Sequence, residues 1–245
     1  MTDVDSPLPD PADAWRERVR ATWDDRAAEW DASAGEAAAA PDRISEIERV
    51  LAALRVRPND TVLDAGCGSG HWAVAFARRG VRVAGIDLSP EMIRLAHQRA
   101  DAAGVSIDWR VGDIAALPFP DASFDAVQAR VALHFVPEVP AALRELRRVL
   151  RPGGRLLASV PGALSPIYRR SWRRHLLEDP PELNWLLPWE LECLLEDAGW
   201  TIRDGWGAFD ASLTGPDNPF GPADVARLDR RLQQAAATAW TVVAD

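Results

Sequence analysis

Cysteine, tyrosine and long apolar runs are scarce in this chain of 245 residues, and each shortage excludes a class of protein. The two cysteines, Cys67 and Cys193, form no CxxC pair, which argues against a zinc site or a disulfide framework. No stretch reaches the roughly 18 consecutive apolar residues that a membrane span needs. The N-terminus has neither the basic nor the apolar region of a secretory signal. We therefore expect a cytoplasmic protein without a metal site.

Positive charge is also in short supply. The chain has 28 Lys and Arg against 37 Asp and Glu, which gives a formal net charge of -9 at pH 7. Such a balance disfavours nucleic acid as a partner unless a basic face is locally concentrated. We expect a small-molecule partner and no nucleic acid. Apolar residues make up 47% of the chain, which excludes wholesale disorder, and 11 tryptophans stand against a single tyrosine.

Changes of periodicity divide the chain into three regions. Residues 1–14 are interrupted by Pro and Asp and predict a mobile tail. Residues 15–58 predict N-terminal helices, in which Trp23 and Trp30 lie seven positions apart and so share one face. Residues 59–245 predict one domain with an irregular cap insertion at about 162–187.

Short apolar strands alternate with helices through this domain. Strands are predicted at 61–66, 81–87, 106–113, 123–130, 155–161, 200–209 and 238–245. A helix opens at Ser89, which is followed by proline and an acid, and an amphipathic helix is predicted over 223–236. The alternation predicts the α/β class with a doubly wound, mostly parallel sheet.

A glycine-rich turn follows the first strand. Gly66, Gly68 and Gly70 alternate through the turn into the next helix, where a missing Cβ lets a ligand approach the backbone. Asp87 ends the second strand, 21 residues after Gly66, where an acid can accept both hydroxyls of a ribose. The dinucleotide pattern G-x-G-x-x-G would need glycine where His71 stands, so an NAD-dependent oxidoreductase is the less favoured reading.

Four segments in this order and spacing resemble the class I S-adenosylmethionine-dependent methyltransferases: VLDAGCGSG, VAGIDLSPEMI, VGDIAALPFPDASFDAV and LRELRRVLRPGGRLL. The resemblance covers about residues 60–160 and is greatest to the small-molecule methyltransferases of ubiquinone and menaquinone biosynthesis. It implies a Rossmann-like, seven-stranded sheet with an antiparallel last strand. It also implies S-adenosylmethionine as methyl donor and a small organic acceptor, aromatic or apolar.

The resemblance implies roles for the residues around the turn. Gly66, Gly68 and Gly70 would pass along the methionyl and ribose parts of the donor, and Asp64 would lie beneath the turn near the donor's amino group. Trp30 falls where the family places an aromatic ring over the donor. Read from spacing alone, Trp30 is equally a member of a core stripe, and Asp64 a cap of the turn.

The later strand ends receive roles in the same way. Asp87 would hold the ribose hydroxyls, and Leu88 would pack on the adenine. Asp113 would accept from the adenine amino group, Ile114 would offer a backbone N–H to the ring, and Arg130 would lie near the methionyl end. The alternative for each acid is a turn residue that bonds only its own backbone.

The acceptor side carries weaker signals. His134 follows the fourth strand and is a candidate general base, although a packed, hydrogen-bonded histidine is the common alternative. The insertion contains Tyr168, Trp172 and Trp185, which suit an apolar pocket for a planar or lipid-like acceptor, or else attach the cap to the sheet. A protein that binds the donor without methylating anything remains a second hypothesis.

Overall fold

A seven-stranded sheet organises the part of the chain that the computed structural model describes, residues 10–39, 43–165, 168, 183–209, 222–225 and 227–245. The strands are β1 (Thr61–Ala65), β2 (Arg82–Asp87), β3 (Asp108–Val111), β4 (Phe124–Arg130), β5 (Leu150–Val160), β6 (Ile202–Ala208) and β7 (Ala239–Ala244). The helices are α1 (Pro11–Ala38), α2 (Arg43–Leu54), α3 (His71–Ala77), α4 (Pro90–Ala103), α5 (Val139–Val149), α6 (Pro188–Asp197), α7 (Pro222–Val225) and α8 (Arg230–Ala236). Single 3-10 turns lie at Ile114–Ala116 and Leu133–Phe135.

The strand order is β3-β2-β1-β4-β5-β7-β6. Strands β1 to β5 pair in parallel, whereas β7 runs antiparallel to both β5 and β6. The predicted doubly wound sheet with an antiparallel last strand is confirmed. The order reverses between β1 and β4, so the carboxyl ends of these two strands flank the crevice where open α/β sheets bind ligands.

The core consists of two apolar layers, one on each face of the sheet. Successive strand residues point to opposite faces, and Val62 accordingly packs with α2 and α3 while Leu63 packs with α5. Leu156 and Leu157 likewise pack on opposite faces of the sheet, Leu156 in the layer of Leu63 and Leu157 in the layer of Val62. Each fully buried leucine contributes about 1.5–3 kcal/mol to folding, so this alternation fixes the register of the central strands.

The predicted start of α4 is confirmed at atomic detail. The hydroxyl of Ser89 accepts a hydrogen bond from the N–H of Met92 at 3.0 Å, and Pro90 occupies the first turn, where its missing N–H costs nothing. The helix ends at Gly104, whose φ of 65° lies in the left-handed region. Because α4 starts at the carboxyl end of β2, its first turn borders the crevice.

Several predicted boundaries are wrong. Helix α1 already begins at Pro11, inside the segment predicted as a tail, and β5 begins at Leu150, before its predicted start. The helix predicted over 223–236 is divided, because the Asp229 side chain accepts from the N–H of Leu232 and starts α8 anew. Residues 166–167 and 169–182 of the predicted cap insertion lie outside the described residues. In the described ranges no helix is long and apolar enough to span a membrane.

Candidate functional site

The glycine turn is joined to β2 through its backbone. The N–H groups of Gly66 and Cys67 donate to the carbonyl of Ile86 at 2.8 and 3.0 Å, and the N–H of Gly70 donates to Cys67 O at 3.1 Å. These bonds hold the turn at the carboxyl end of β1, directly before α3. The turn therefore presents its outer surface to the crevice.

Each glycine of the turn has a left-handed backbone and a close neighbour. The φ angles of Gly66, Gly68 and Gly70 are 75°, 51° and 80°. A Cβ on Gly66 would lie 2.5 Å from the Cβ of Ala132, and one on Gly70 would lie 2.7 Å from the Trp109 ring. Both the conformation and the space thus require glycine.

Trp30 lies over this turn. Its indole Nε1 is 3.3 Å from the position that a Cβ on Gly68 would take, and the side chain is 39% exposed. The ring therefore approaches the backbone where the glycines leave it bare. The role that the resemblance gives Trp30, an aromatic ring over the donor, stays a prediction.

Asp87 at the end of β2 is oriented by two backbone donors. Its Oδ2 accepts from the N–H of Gly68 at 2.8 Å, and its Oδ1 accepts from the N–H of Ser89 at 3.0 Å. Burial raises the pKa of Asp87, and these backbone bonds oppose the rise. Each carboxylate oxygen keeps a free lone pair, so the side chain can accept from ligand hydroxyls as well. Leu88 follows, half-buried.

Asp113 is bonded from both sides. Its Oδ1 accepts from the N–H of Ala115 at 2.8 Å and caps the 3-10 turn, and its Oδ2 accepts from Arg16 Nε at 2.6 Å. Arg16 also pairs with Glu138 at 2.8 Å. Ile114 is buried beside it. Sequence reasoning missed Arg16, because no spacing links it to an acid 97 positions away.

Asp64 and Gln128 form a buried polar pair across β1 and β4, where they are register partners. Asp64 is 3% exposed and Gln128 is fully buried. Among the described residues, neither Asp64 Oδ2 nor the Gln128 amide atoms have a hydrogen-bond partner. Burial raises the pKa of Asp64 to about 7, against the lowering influence of Gln128 and of the Arg130 guanidinium. A polar ligand group or an ordered water would satisfy these atoms.

Arg130 ends β4 beside this pair. Its Nη2 donates to Glu46 at 2.9 Å, and its guanidinium lies 3.9 Å from the Trp72 ring centroid. The guanidinium of Arg43 lies 3.7 Å from the same centroid. Burial lowers the pKa of Arg130 to about 10, so the group is still charged at neutral pH. In the described part of the chain, its buried Nη1 has no partner.

Helix α1 is attached across the crevice by polar contacts. Asp24 accepts from the Ser89 hydroxyl at 2.6 Å and from the N–H of Glu91 at 3.2 Å. Asp31 pairs with Arg99 and lies 3.3 Å from His71 Nε2. Together with the Arg16 contact to Asp113, these bonds keep α1 over the glycine turn. The sequence predicted this helix but not its contacts.

His134, the candidate base, is fully buried in the 3-10 turn after β4. Neither of its ring nitrogens has a partner among the described residues. Burial lowers its pKa to about 3, so the ring is neutral. The ring centroid lies 4.1 Å from that of Phe135 and 6.4 Å from that of Tyr168. A neutral imidazole can accept a proton, but here it is surrounded by aromatic rings.

A row of aromatic side chains extends this cluster in both directions. Trp30 contacts Trp23 at 5.4 Å between centroids, and Trp23 contacts Phe135 at 5.1 Å. At the other end, Tyr168 contacts Trp185 at 5.0 Å. The row, called the aromatic row below, therefore leads from the glycine turn to the cap segment; its members are Trp30, Trp23, Phe135, His134, Tyr168 and Trp185.

The three predicted acceptor residues of the insertion differ in what they can offer. The buried Tyr168 donates its hydroxyl to Leu186 O at 2.8 Å, and burial raises its pKa above the ordinary tyrosine value. Trp185 is half-buried with a φ of 56°, a strained value for a bulky residue. Trp172 lies outside the described residues. Across the described ranges, no three His, Cys, Asp or Glu side chains group as metal ligands would.

Comparison with known proteins gives one family. Residues 63–158 match the model of the methyltransferase domain. The malonyl-acyl-carrier-protein O-methyltransferase of Serratia marcescens is 40% identical over 116 residues, which cover 47% of this chain and 44% of that protein. The 2-phytyl-1,4-naphtoquinone methyltransferase of Synechococcus elongatus is 40% identical over 121 residues, with 46% and 52% covered. The chain thus matches about half the length of these relatives.

Solved structures agree at the level of the fold. The crystal structure of the cyclase SpnF has a TM-score of 0.60 and 25% identity, covering 82% of this chain and 79% of that one. A SAM-dependent methyltransferase from Aquifex aeolicus has a TM-score of 0.59 and 20% identity, covering 86% and 96%. The matched domain, the sheet order and the glycine turn with its strand-end acids agree with one another, and residues 63–158 form a methyltransferase domain of the class I S-adenosylmethionine-dependent type.

Proposed function

We propose that this protein transfers a methyl group from S-adenosylmethionine to a small, planar, largely apolar acceptor. One observation carries the donor assignment. The glycine turn and three acids, Asp64, Asp87 and Asp113, lie at the carboxyl ends of three adjacent strands, and the buried Oδ2 of Asp64 has no partner among the described residues. An adenosine joined to an amino acid needs hydrogen-bond acceptors for its ribose hydroxyls, its adenine amino group and its ammonium group, and the three acids at this edge of the sheet supply them.

The residues fit the donor part by part. Asp87, held by Gly68 and Ser89, would accept the ribose hydroxyls. Asp113 would accept from the adenine amino group, with Ile114 and Leu88 beside the ring. When bound, the donor supplies an electrophilic methyl group on a sulfonium, and nucleophilic attack in line with the leaving sulfur transfers it. The chain's own contribution is alignment and exclusion of water.

The methionyl end would meet the buried polar groups of β1 and β4. Asp64 and Gln128 would receive the ammonium group, which satisfies oxygen atoms that lack partners among the described residues. Arg130 would pair its free Nη1 with the carboxylate. The ring of Trp30 near Gly68 could stabilise a sulfonium by ~0.5–2 kcal/mol.

The acceptor would lie along the aromatic row. Its rings offer an apolar surface next to the donor position, which favours a planar acceptor. In the described part of the row, His134 holds the only buried polar atoms without a partner, and its neutral imidazole can accept a hydrogen bond from an acceptor hydroxyl. Methylation of a hydroxyl oxygen is therefore the reaction that these side chains support best.

A second function is favoured by one comparison. SpnF, whose fold this chain shares, is a cyclase. The same site could therefore bind the donor without transferring its methyl group. In that case the sulfonium would act only through its charge, and the aromatic row would hold a different substrate.

Two measurements separate these readings. Calorimetry with S-adenosylhomocysteine, S-adenosylmethionine and NAD tests the cofactor, and we expect binding of the first two and none of NAD. Turnover with S-adenosylmethionine and a panel of naphthols, naphthohydroquinones and aliphatic alcohols then tests the acceptor, with formation of S-adenosylhomocysteine as readout. Donor binding without turnover on any acceptor would favour the second function, and NAD binding alone would contradict both.

A further inference from the structure

The turn that carries His134 and Phe135 has all four of its carbonyls bonded by residues that are distant in sequence. The Asn184 amide Nδ2 donates to Leu133 O at 2.8 Å and to Val136 O at 2.7 Å. The backbone N–H of Asn184 donates to His134 O at 2.9 Å. The remaining carbonyl, that of Phe135, accepts from the indole Nε1 of Trp15 at 2.9 Å.

The Asn184 side chain uses both of its donor hydrogens and its acceptor oxygen in these contacts. Both amide hydrogens go to the turn, and the Oδ1 atom accepts from the N–H of Leu186 at 3.0 Å. This last bond closes a short turn around Trp185, whose φ is 56°. Because Tyr168 bonds to Leu186, the same unit also fixes the end of the aromatic row.

The turn itself starts from a strained residue. Val131 has a φ of 51°, which a β-branched residue adopts only when its surroundings impose it. Its N–H donates to both the carbonyl and the hydroxyl of Ser159, at 2.9 and 3.1 Å. Strained residues therefore lie at both ends of the assembly, Val131 before the turn and Trp185 after Asn184. Asn184 is the side chain that joins them.

We propose that Asn184 is a positioning residue for the acceptor. It fixes the turn at residues 133–136, and through the turn it sets where His134 and Phe135 stand relative to the donor. Trp15 attaches the same turn to α1, which covers the glycine turn, so the acceptor surface and the donor side share this helix. The inference rests on the proposed function, because it takes the aromatic row to be the acceptor surface.

The test uses 1-naphthol as an acceptor-like probe on the full chain saturated with S-adenosylhomocysteine. Asn184→Asp keeps the oxygen that accepts from Leu186 but replaces the two donors with an oxygen that repels both carbonyls. We expect the dissociation constant of naphthol to rise at least about tenfold, and that of S-adenosylhomocysteine to stay within about twofold. Asn59→Asp, at an exposed turn just before the amino end of β1 and so at the opposite edge of the sheet, controls for the added charge and should change neither value.

Each other outcome has a defined meaning. Unchanged naphthol binding, or an equal loss of naphthol and S-adenosylhomocysteine binding, would overturn the positioning role. If Asn184→Asp does not fold, Trp15→Phe replaces it, since it removes one donor to the turn and keeps a ring. For Trp15→Phe we expect the dissociation constant of naphthol to rise about threefold and that of S-adenosylhomocysteine to stay the same. An unchanged dissociation constant of naphthol would overturn the proposal. Failure of the wild type to bind naphthol would contradict the proposed acceptor class, and this inference with it.

Discussion

The donor side and the acceptor side of the crevice at the carboxyl ends of the strands are held by different kinds of hydrogen bond. On the donor side, backbone N–H groups hold both carboxylate oxygens of Asp87, and Gly68 bonds to it only 19 positions away, although Asp113 also accepts from the Arg16 side chain across 97 positions. On the acceptor side, side chains make the connections over long separations. Trp15 reaches Phe135 across 120 positions, and Asn184 reaches Leu133 across 51.

This difference explains what each side demands of the sequence. A backbone cradle needs glycine where φ is positive and where a Cβ would collide, so the requirement appears as a spaced pattern. Side-chain connections need only a donor and an acceptor that meet in the folded chain, and many residue types satisfy that condition. The donor side should therefore be intolerant of small changes, and the acceptor side should lose specificity before it loses structure.

The largest effect is expected from Gly66→Ala, with Gly104→Ala as the matched control. Both glycines have positive φ, 75° and 65°, but a Cβ on Gly66 would lie 2.5 Å from Ala132, whereas Gly104 has nothing within 4 Å. Both variants bear the left-handed cost of roughly 1–2 kcal/mol. Only Gly66→Ala should also weaken the binding of S-adenosylhomocysteine, with a dissociation constant that rises about 100-fold or more in calorimetry. Equal donor affinity in the two variants would refute the cradle.

Asp87→Ala should have the next largest effect. It removes a carboxylate that we expect to accept both ribose hydroxyls, and each charge-assisted bond is worth about 1.5–3 kcal/mol. The dissociation constant of S-adenosylhomocysteine should rise at least about tenfold while the far-UV circular dichroism stays unchanged. Asp101→Ala, on the exposed side of α4, is the control. An unchanged dissociation constant would mean that Asp87 bonds only the backbone of the turn and does not contact the donor.

The pH dependence of donor binding tests Asp64, whose pKa burial raises to about 7. The ionised carboxylate attracts the donor ammonium, so affinity should rise several-fold between pH 6 and pH 8. The stability of the free protein should run the other way. The folded state keeps the proton up to about pH 7 and the unfolded state loses it near pH 4, so Tm should fall between these values. Asp64→Asn should flatten both profiles, and a wild-type profile that is already flat would contradict the assignment.

The smallest effect is expected from Trp185→Ala on the acceptor side. Loss of the ring removes one wall of the aromatic row, so KM of the best acceptor should rise about fivefold while donor affinity stays constant. Trp206→Ala, on the edge strand β6, controls for loss of an indole. If Trp185→Ala abolishes donor binding and leaves the acceptor KM unchanged, Trp185 belongs to the donor side. The contrast drawn above between the two sides of the crevice would then be wrong.

The sequence predicted the sheet well because its signals are local. The alternating strands, the cap at Ser89 and the glycine turn each occupy about eleven neighbouring positions or fewer, and in the structure each of them overlaps its predicted position. Boundaries were less predictable where a side chain outside the pattern intervened, as Asp229 does in dividing α7 from α8. The roles assigned to site residues remain predictions. The structure adds that Asp113 already has a partner in Arg16.

By itself, the sequence determined the periodicity of the strands, the turn that only glycine permits and the acids at the strand ends. Those features follow from sterics and from the two-residue repeat of a strand, which act over a few positions. Only the tertiary structure decided that α1 covers the turn, that Arg16 meets Asp113 and that Asn184 holds the turn bearing His134. Such contacts join residues whose separation along the chain carries no periodic signal, so they exist only once the apolar layers have brought the elements together.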